Sequence, residues 1–515
     1  MNRKLFNTRN AALPATDTVN EAGGKAYALS AEQKLAQLAA TGCLNQTFYA
    51  GAETQMDTIL ATAAACEAKF VARTAIFARQ HGFMKDMPAL LLAHLAQRDA
   101  ELLAKVFSRV IDDGKMLRNF VQAVRSGVTG RKSLGTAPKR LVKKWLDGHS
   151  DDQIFRASVG QQPSLADVVR MVHPRPATPQ RQALYGWLCS RKVEMEMLPP
   201  LVRDFEVFKG SPGTAMPDVP FQMLTALSLG QAHWSQIART ASWQTTRMNL
   251  NTFARHGVFD DPKMVKLVAD RLRNPELVKK ARVFPYQLLS AFTNAGTEVP
   301  SQVKEALQDA MESATQNVPF IDGRVWVLPD ISGSMRSPVT GYRKGSSTTV
   351  RCLDVAALIA ACFLLTNRSA EVLPFSDDVV PAKLNPRDSV MTNAAKLAAL
   401  PSGGTNCAAP LKEMNRRMAK GDLVVMVSDN ESWMGAQHDR ATNMMTEWEV
   451  FRKRNPHARL VCLEIQPHGT TQAKERADIL NIGGFSDQVF EIIAAFASGK
   501  LHPDHWVGVI KQTAL

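Results

Sequence analysis

Residues 325–335 read Val-Trp-Val-Leu-Pro-Asp-Ile-Ser-Gly-Ser-Met. The apolar run at 325–328 predicts a buried parallel strand. Directly after it, Asp330, Ser332 and Ser334 place three oxygen side chains at i, i+2 and i+4 on a turn that contains Gly333. One carboxylate and two hydroxyls are hard ligands of low charge, a set that suits Mg²⁺ or Mn²⁺ with several waters retained. Read alone, Asp-x-Ser-x-Ser is as readily an ordinary turn, because Asp and Ser are common turn residues. A phosphatase with an aspartyl nucleophile would need a second Asp two residues on. Ser332 stands there, so Asp330 is not read as a nucleophile.

Two later pieces change the balance. Gly403-Gly404-Thr405 supplies a loop hydroxyl, and the apolar run 424–427 ends in Ser428-Asp429. Asp-x-Ser-x-Ser, then Thr, then Asp, in that order, resembles the metal-ion-dependent adhesion site (MIDAS) of von Willebrand factor A domains. The resemblance makes Asp330, Ser332, Ser334, Thr405 and Asp429 the ligands of a divalent cation, Mg²⁺ first and Mn²⁺ as the alternative. The spacing fits a doubly wound, Rossmann-like sheet, in which loops at the carboxyl ends of parallel strands converge on one crevice.

Working outward, residues after 320 alternate strand and helix. Strands are expected at 324–329, 370–375, 422–428 and 458–465. Helices are expected at 350–366, 389–400, 407–419, 438–454 and 491–513. Such alternation predicts parallel strands with crossover helices. Residues 1–24 read as an arm ending in Gly23-Gly24. Between about 30 and 315 the pattern is almost wholly helical, with segments at 31–40, 56–81, 89–95, 99–112, 116–124, 139–147, 165–172, 180–189, 220–229, 234–256, 262–272, 288–294 and 299–315. Successive helices of this kind predict an α-solenoid or ring. The domains expected are an arm over 1–24, a helical module over 25–320 and an α/β domain over 321–515.

At 515 residues the chain is too long for one core. Its net charge of +14 is unevenly spread. Residues 321–515 hold 22 Lys+Arg against 20 Asp+Glu, whereas residues 1–320 hold 40 against 28. The basic excess therefore lies in the helical part. That points to a polyanion partner or, more plainly, to a basic solvated surface. The seven cysteines show no Cys-x-x-Cys pair, which argues against structural zinc and a disulfide framework and for reduced intracellular thiols. Residues 1–6 are basic with no apolar stretch behind them, and the longest apolar run, 355–365, is 11 residues. Neither a signal peptide nor a membrane span is expected, and the setting inferred is cytoplasmic.

The densest basic patch runs from Arg118 to Lys144. Gly130-Arg131-Lys132 reads as a flexible loop. In the helix that follows, Lys139, Arg140, Lys143 and Lys144 share one face, while Leu141, Val142, Trp145 and Leu146 take the other. Four like charges so close repel. A phosphate backbone across them would relieve that cost, although a solvated face is the plainer reading. Further on, Arg170 and His173 close a helix ahead of Pro174. His173 is either a helix cap or a base-stacking imidazole beside Arg170.

These pieces together resemble the Ro ribonucleoprotein family, which joins a helical TROVE module to a von Willebrand A domain. The matching stretches are Asn20-Glu21-Ala22-Gly23-Gly24, Pro88-Ala89-Leu90-Leu91-Leu92, Gly130 through Trp145, Val168 through Pro174, Thr246-Arg247-Met248-Asn249-Leu250, Ala281-Arg282-Val283-Phe284-Pro285, the metal site and Ser428-Asp429-Asn430-Glu431. The resemblance implies a HEAT-repeat ring with a basic hole. Single-stranded 3′ ends of structured or misfolded RNA would enter the hole, and small noncoding Y RNAs would bind the outer surface. It places His173 and Arg156 at the hole, with Gly160 where the family often has another cation. The RNA-contact set expected is Arg118, Arg131, Lys132, Lys139, Arg140, Lys143, Lys144, Arg156, Arg170, His173 and Arg247.

The function expected is non-catalytic RNA binding in RNA quality control or maturation, by a monomer with a Y-like RNA partner. An exoribonuclease or other protein would be a partner through the metal site. The alternative is a metal-dependent protein-binding scaffold whose main partner is a protein carboxylate. An RNA-processing enzyme is not expected, because the chain shows no clustered carboxylates of two-metal nuclease type and no convincing His pair.

Overall fold

The computed structural model describes residues 13–41, 52–211, 213, 215–281, 283, 285–315, 318, 320–339, 341, 350–433, 441–466, 468–484, 487–501 and 504–515. The chain divides into two units. One is helical and comprises residues 56–283, 291–310 and 510–515; the other, built on a sheet, comprises residues 1–55, 284–290 and 311–509.

Eight strands occur among the described residues: β1 (Thr18–Val19), β2 (Lys25–Ala28), β3 (Val325–Pro329), β4 (Glu371–Val372), β5 (Leu423–Ser428), β6 (Arg459–Glu464), β7 (Thr470–Thr471) and β8 (Ile479–Gly483). Five form a parallel sheet in the order β4-β3-β5-β6-β8. Every residue of β3 and β5 is buried, as a sheet covered on both faces requires. From β3 the chain passes to β4 on one side, and from β5 to β6 on the other. The order therefore reverses between β3 and β5, and a crevice opens at their carboxyl ends.

The expected domain boundaries need correction at both ends. Strands β1 and β2 join β7 in a second, antiparallel sheet. Tyr27 is fully buried in the core of the sheet unit, its hydroxyl donates to the Pro14 carbonyl at 2.8 Å, and the Lys25 carbonyl accepts from Gln472 Nε2 at 3.1 Å. The helix Ala31–Thr41 packs on β8. The first described segment is thus part of the sheet unit, neither an arm nor the start of the helical module. Conversely, the last residues belong to the helical unit, where Arg73 Nε and Arg109 donate to the carbonyls of Thr513 and Ala514 at 3.1 and 2.7 Å.

In the helical unit, amphipathic patterning does what it predicts. The helix Thr136–Asp147 buries Leu141, Val142, Trp145 and Leu146, and each such side chain contributes about 1.5–3 kcal/mol by leaving water. Trp145 Nε1 donates to the Ile111 carbonyl at 3.1 Å. This helix and Gly114–Arg125 both pack on Leu165–Val172. Three expected long helices are instead broken. Residues 56–81 form Ala52–Ala65 and Ala68–Gln80, and 234–256 form Gln231–Thr240, Trp243–Met248 and Leu250–Arg255. The span 491–513 forms Asp487–Ala497 and His505–Lys511, with Gly499 at φ +72° between them.

Candidate functional site

Three loops meet at the crevice of the parallel sheet. The first follows β3: the Asp330 amide donates to the Val427 carbonyl at 2.9 Å and the Ile331 amide to Phe375 at 2.8 Å. These bonds extend the pairing of β3 beyond its last strand residue. The Ser332 amide donates to Asp330 Oδ1 at 2.8 Å, closing an Asx turn. The Ser332 and Ser334 hydroxyls lie 3.2 Å apart.

The second loop is held against the first by the Gly333 amide, which donates to the Gly403 carbonyl at 3.0 Å. A Cβ on Gly403 would run into Asp377, whose Oδ1 accepts from the Gly404 amide at 2.8 Å. Glycine at 403 lets that carboxylate fix the loop and present Thr405. The third loop follows β5. Ser432 Oγ donates to the Thr405 carbonyl at 3.2 Å, and Asp429 Oδ1 accepts from the Glu431 amide at 3.2 Å.

All five candidate ligands come together here. Asp330 and Ser332 are fully buried, and Ser334, Thr405 and Asp429 are at most 7% exposed. Burial, and then the charge of Asp429, raise the Asp330 carboxyl to about 7. Among the described residues no lysine or arginine pairs with either acid. Two carboxylates and three hydroxyls, without thiolate or imidazole, fit a hard divalent cation. Asp330, Ser332, Ser334, Thr405 and Asp429 would hold it.

Around this set lies a group the sequence reading missed. Ser428 Oγ donates to Asp330 Oδ2 at 2.5 Å and fixes that carboxylate. Its role follows from the register of β3 against β5, which a motif cannot show. Asn430 Nδ2 donates to the buried Glu464 at 2.6 Å. The Asn20–Gly24 turn closes over the third loop: Asn20 Nδ2 donates to the Ser432 carbonyl at 2.8 Å, and the Ala22 amide to Glu431 Oε2 at 3.2 Å. His468 Nδ1 lies 3.6 Å from Glu21. Burial alone would depress the His468 imidazole; Glu21, Glu431 and Asp429 outweigh it and raise it to about 9.

The basic residues of the helical unit divide into two classes. Arg131, Lys132, Lys139, Arg140, Lys143 and Lys144 have no acidic partner among the described residues, and Lys132, Lys139, Arg140 and Lys144 are exposed. His173 is exposed at the end of its helix with φ +50°. The others are committed. Arg118 corrects the expectation most clearly. It is buried, its Nε donates to the Gly114 carbonyl at 3.2 Å, and its guanidinium occupies the space a side chain at Gly160 would need. Arg156 pairs with Asp218 at 2.9 Å, and Arg170 with Asp167 at 3.2 Å and the Cys189 carbonyl at 3.0 Å. Arg247 Nε lies 3.5 Å from Gln244 Oε1. Of the quoted stretch 281–285, residues 282 and 284 lie outside the described residues.

Residues 324–497 match the Ro60 vWA domain family model. Over 94% of this chain and 95% of the relative, the sequence is 26% identical to the RNA-binding protein RO60 of Deinococcus radiodurans. A protein of the same name from Caenorhabditis elegans is 24% identical over 47% of this chain and 38% of its own length. The crystal structure of the Deinococcus radiodurans RO (RSR) protein superposes with a TM-score of 0.63 at 22% identity, covering 92% of this chain and all of that one. The chain is thus similar to Ro proteins along nearly its whole length, and its residues 324–497 match their von Willebrand A domain.

Proposed function

We propose that the chain is a non-catalytic RNA-binding protein of RNA quality control or maturation. Its helical unit takes single-stranded 3′ ends of structured or misfolded RNA, and its outer basic surface takes a Y-like small noncoding RNA. The observation that carries this reading is the set of six cations from Arg131 to Lys144 without acidic partners among the described residues. Cations left unneutralised on one loop and one helix face supply sequence-independent affinity for phosphates. The exposed His173 offers a ring on which a base can stack. The names of the Deinococcus and nematode relatives point the same way.

In this reading the sheet unit holds Mg²⁺, or Mn²⁺, on Asp330, Ser332, Ser334, Thr405 and Asp429. A carboxylate of a partner protein, such as an exoribonuclease, completes the coordination, and trimming of RNA belongs to that partner. The interlocked loops favour this second surface as a binding site. Among the described residues no helix is long and apolar enough to cross a membrane, and none of the six described cysteines is in a disulfide.

The test is binding of the purified full chain to a structured RNA with and without a single-stranded 3′ tail. Preference for the tailed RNA is expected. Equal binding of both would remove the 3′-end function and leave only the outer surface.

A further inference from the structure

The turn that joins β1 to β2 lies one layer outside the metal site. Pairing of Thr18 with Ala26 and of Val19 with Lys25 makes residues 20–24 a hairpin loop. Its shape is fixed from within. The Asn20 amide donates to the Gly24 carbonyl at 2.8 Å, the Gly24 amide donates to Asn20 Oδ1 at 2.6 Å, and Gly23 takes φ +81°. β2 anchors the loop by pairing with β7, Tyr27 against Thr471 and Ala28 against Thr470.

From this loop two contacts reach residues 431–432. Asn20 Nδ2 donates to the Ser432 carbonyl at 2.8 Å, and the Ala22 amide to Glu431 Oε2 at 3.2 Å. Asn20, Glu431 and Ser432 are all buried. The same two residues hold candidate metal ligands in turn. The Glu431 amide donates to Asp429 Oδ1 at 3.2 Å. Ser432 Oγ accepts from the Cys407 amide and donates to the Thr405 carbonyl, both at 3.2 Å, and so ties the second loop to the third. Residues 429–433 belong to no helix or strand, and Asn430 within them has φ +58°. Such a segment keeps its place only through the groups around it. Partners one shell out from a ligand orient it and tune the affinity for the metal.

We propose that the β1–β2 turn is a positioning element of the metal site. Asn20, acting through Ser432, sets Thr405 and Asp429 at the spacing a divalent cation requires. The proposal rests on the metal-site reading above. The coupling is reciprocal: the factor by which the closed turn raises cation affinity is the factor by which a bound cation holds the turn closed.

The experiment uses the full chain with Mn²⁺ as the probe, followed by calorimetry. Asn20→Ala should weaken Mn²⁺ binding about tenfold, the lower end of what losing an outer partner costs. Asn20→Asp keeps the acceptor for the Gly24 amide and loses the donor to Ser432. Its added negative charge would by itself strengthen cation binding, so a weakening of similar size separates position from charge. Unchanged affinity in Asn20→Ala, or unchanged or higher affinity in Asn20→Asp, overturns the proposal. In the unsubstituted protein, saturating Mn²⁺ should slow amide hydrogen exchange over residues 20–28 about tenfold, with no such slowing in Asp330→Ala. A turn that merely stabilises the fold would lower the unfolding midpoint and leave both readouts alone. Exchange that Mn²⁺ does not slow overturns the proposal even where the Asn20 variants fail to fold. If the unsubstituted protein binds no Mn²⁺, the metal-site reading fails and takes this one with it. Mn²⁺ binding that is indifferent to both variants sinks the positioning role alone.

Discussion

The two units carry function in opposite ways. In the sheet unit every candidate ligand is buried and held by neighbours. Asp330 is fixed by its own turn and by Ser428, Thr405 through a loop braced by Asp377, and Asp429 by the Glu431 amide. In the helical unit the candidate contacts are exposed side chains on a loop and a helix whose other face is packed. Buried oxygens cost stability unless satisfied, so they must be placed accurately and answer to geometry. Solvated cations answer to charge and tolerate imprecision. The first site should therefore fail sharply on single substitutions, and the second should fade gradually as charge is removed.

The largest expected effect is at the metal site. Asp330→Ala removes one of two carboxylates and should abolish Mn²⁺ binding, measured by calorimetry, while leaving RNA affinity within about twofold of the unsubstituted protein. Parallel loss of RNA affinity would show that the two units are coupled. Next is Gly24→Ala. A Cβ there would overlap the Ser432 backbone carbonyl, which the Asn20–Gly24 turn grips. The strain should destabilise the sheet unit by about 2–4 kcal/mol in denaturant titration. A change below about half a kcal/mol would mean that the turn does not seat there.

A smaller effect is set by pH. The His468 imidazole is raised to about 9, so its contribution is full below its ordinary value of 6.5 and is lost as pH rises through 9. The buried Glu464 carboxyl is raised to about 8, so it costs stability progressively as pH rises from 4.5 to 8. Both make stability fall between pH 6.5 and 8. With metal removed by chelator, stability should drop by about 1–3 kcal/mol over the window from neutral pH to 9, and His468→Gln should flatten the curve. A flat curve in the unsubstituted protein would contradict this electrostatic account.

Much of the sheet unit was legible because its signals are local. Apolar runs at 325–328 and 424–427, each followed by a carboxylate, mark strand ends that the sheet then brings together. β8 was not foreseen, since Ile479-Leu480-Asn481-Ile482-Gly483 is short and interrupted by Asn481. β2 was not foreseen because a four-residue strand is defined by its partner β7, more than 440 positions away, and β1 is a two-residue strand that pairs on β2. In the helical unit, the break at Ser242 has a visible signal, as its hydroxyl caps Trp243–Met248 by accepting from the Thr245 amide at 3.2 Å. The break at Cys66-Glu67 has no Gly, Pro or side-chain cap. Arg118 was misread because charge alone suggests exposure. Met116, Leu117, Phe120 and Val121 around it are buried, and Gly160 makes the room that lets a guanidinium join them.

The central claim is that the cations from Arg131 to Lys144 grip RNA phosphates. The most direct test is the slope of log affinity against log salt for a tailed RNA, measured for the full chain and for Lys139→Ala/Arg140→Ala/Lys143→Ala/Lys144→Ala. Six single-strand phosphate contacts predict a slope of about −4, falling to about −1.5 when four cations are removed. The same slope for both proteins would contradict the account and place the RNA elsewhere.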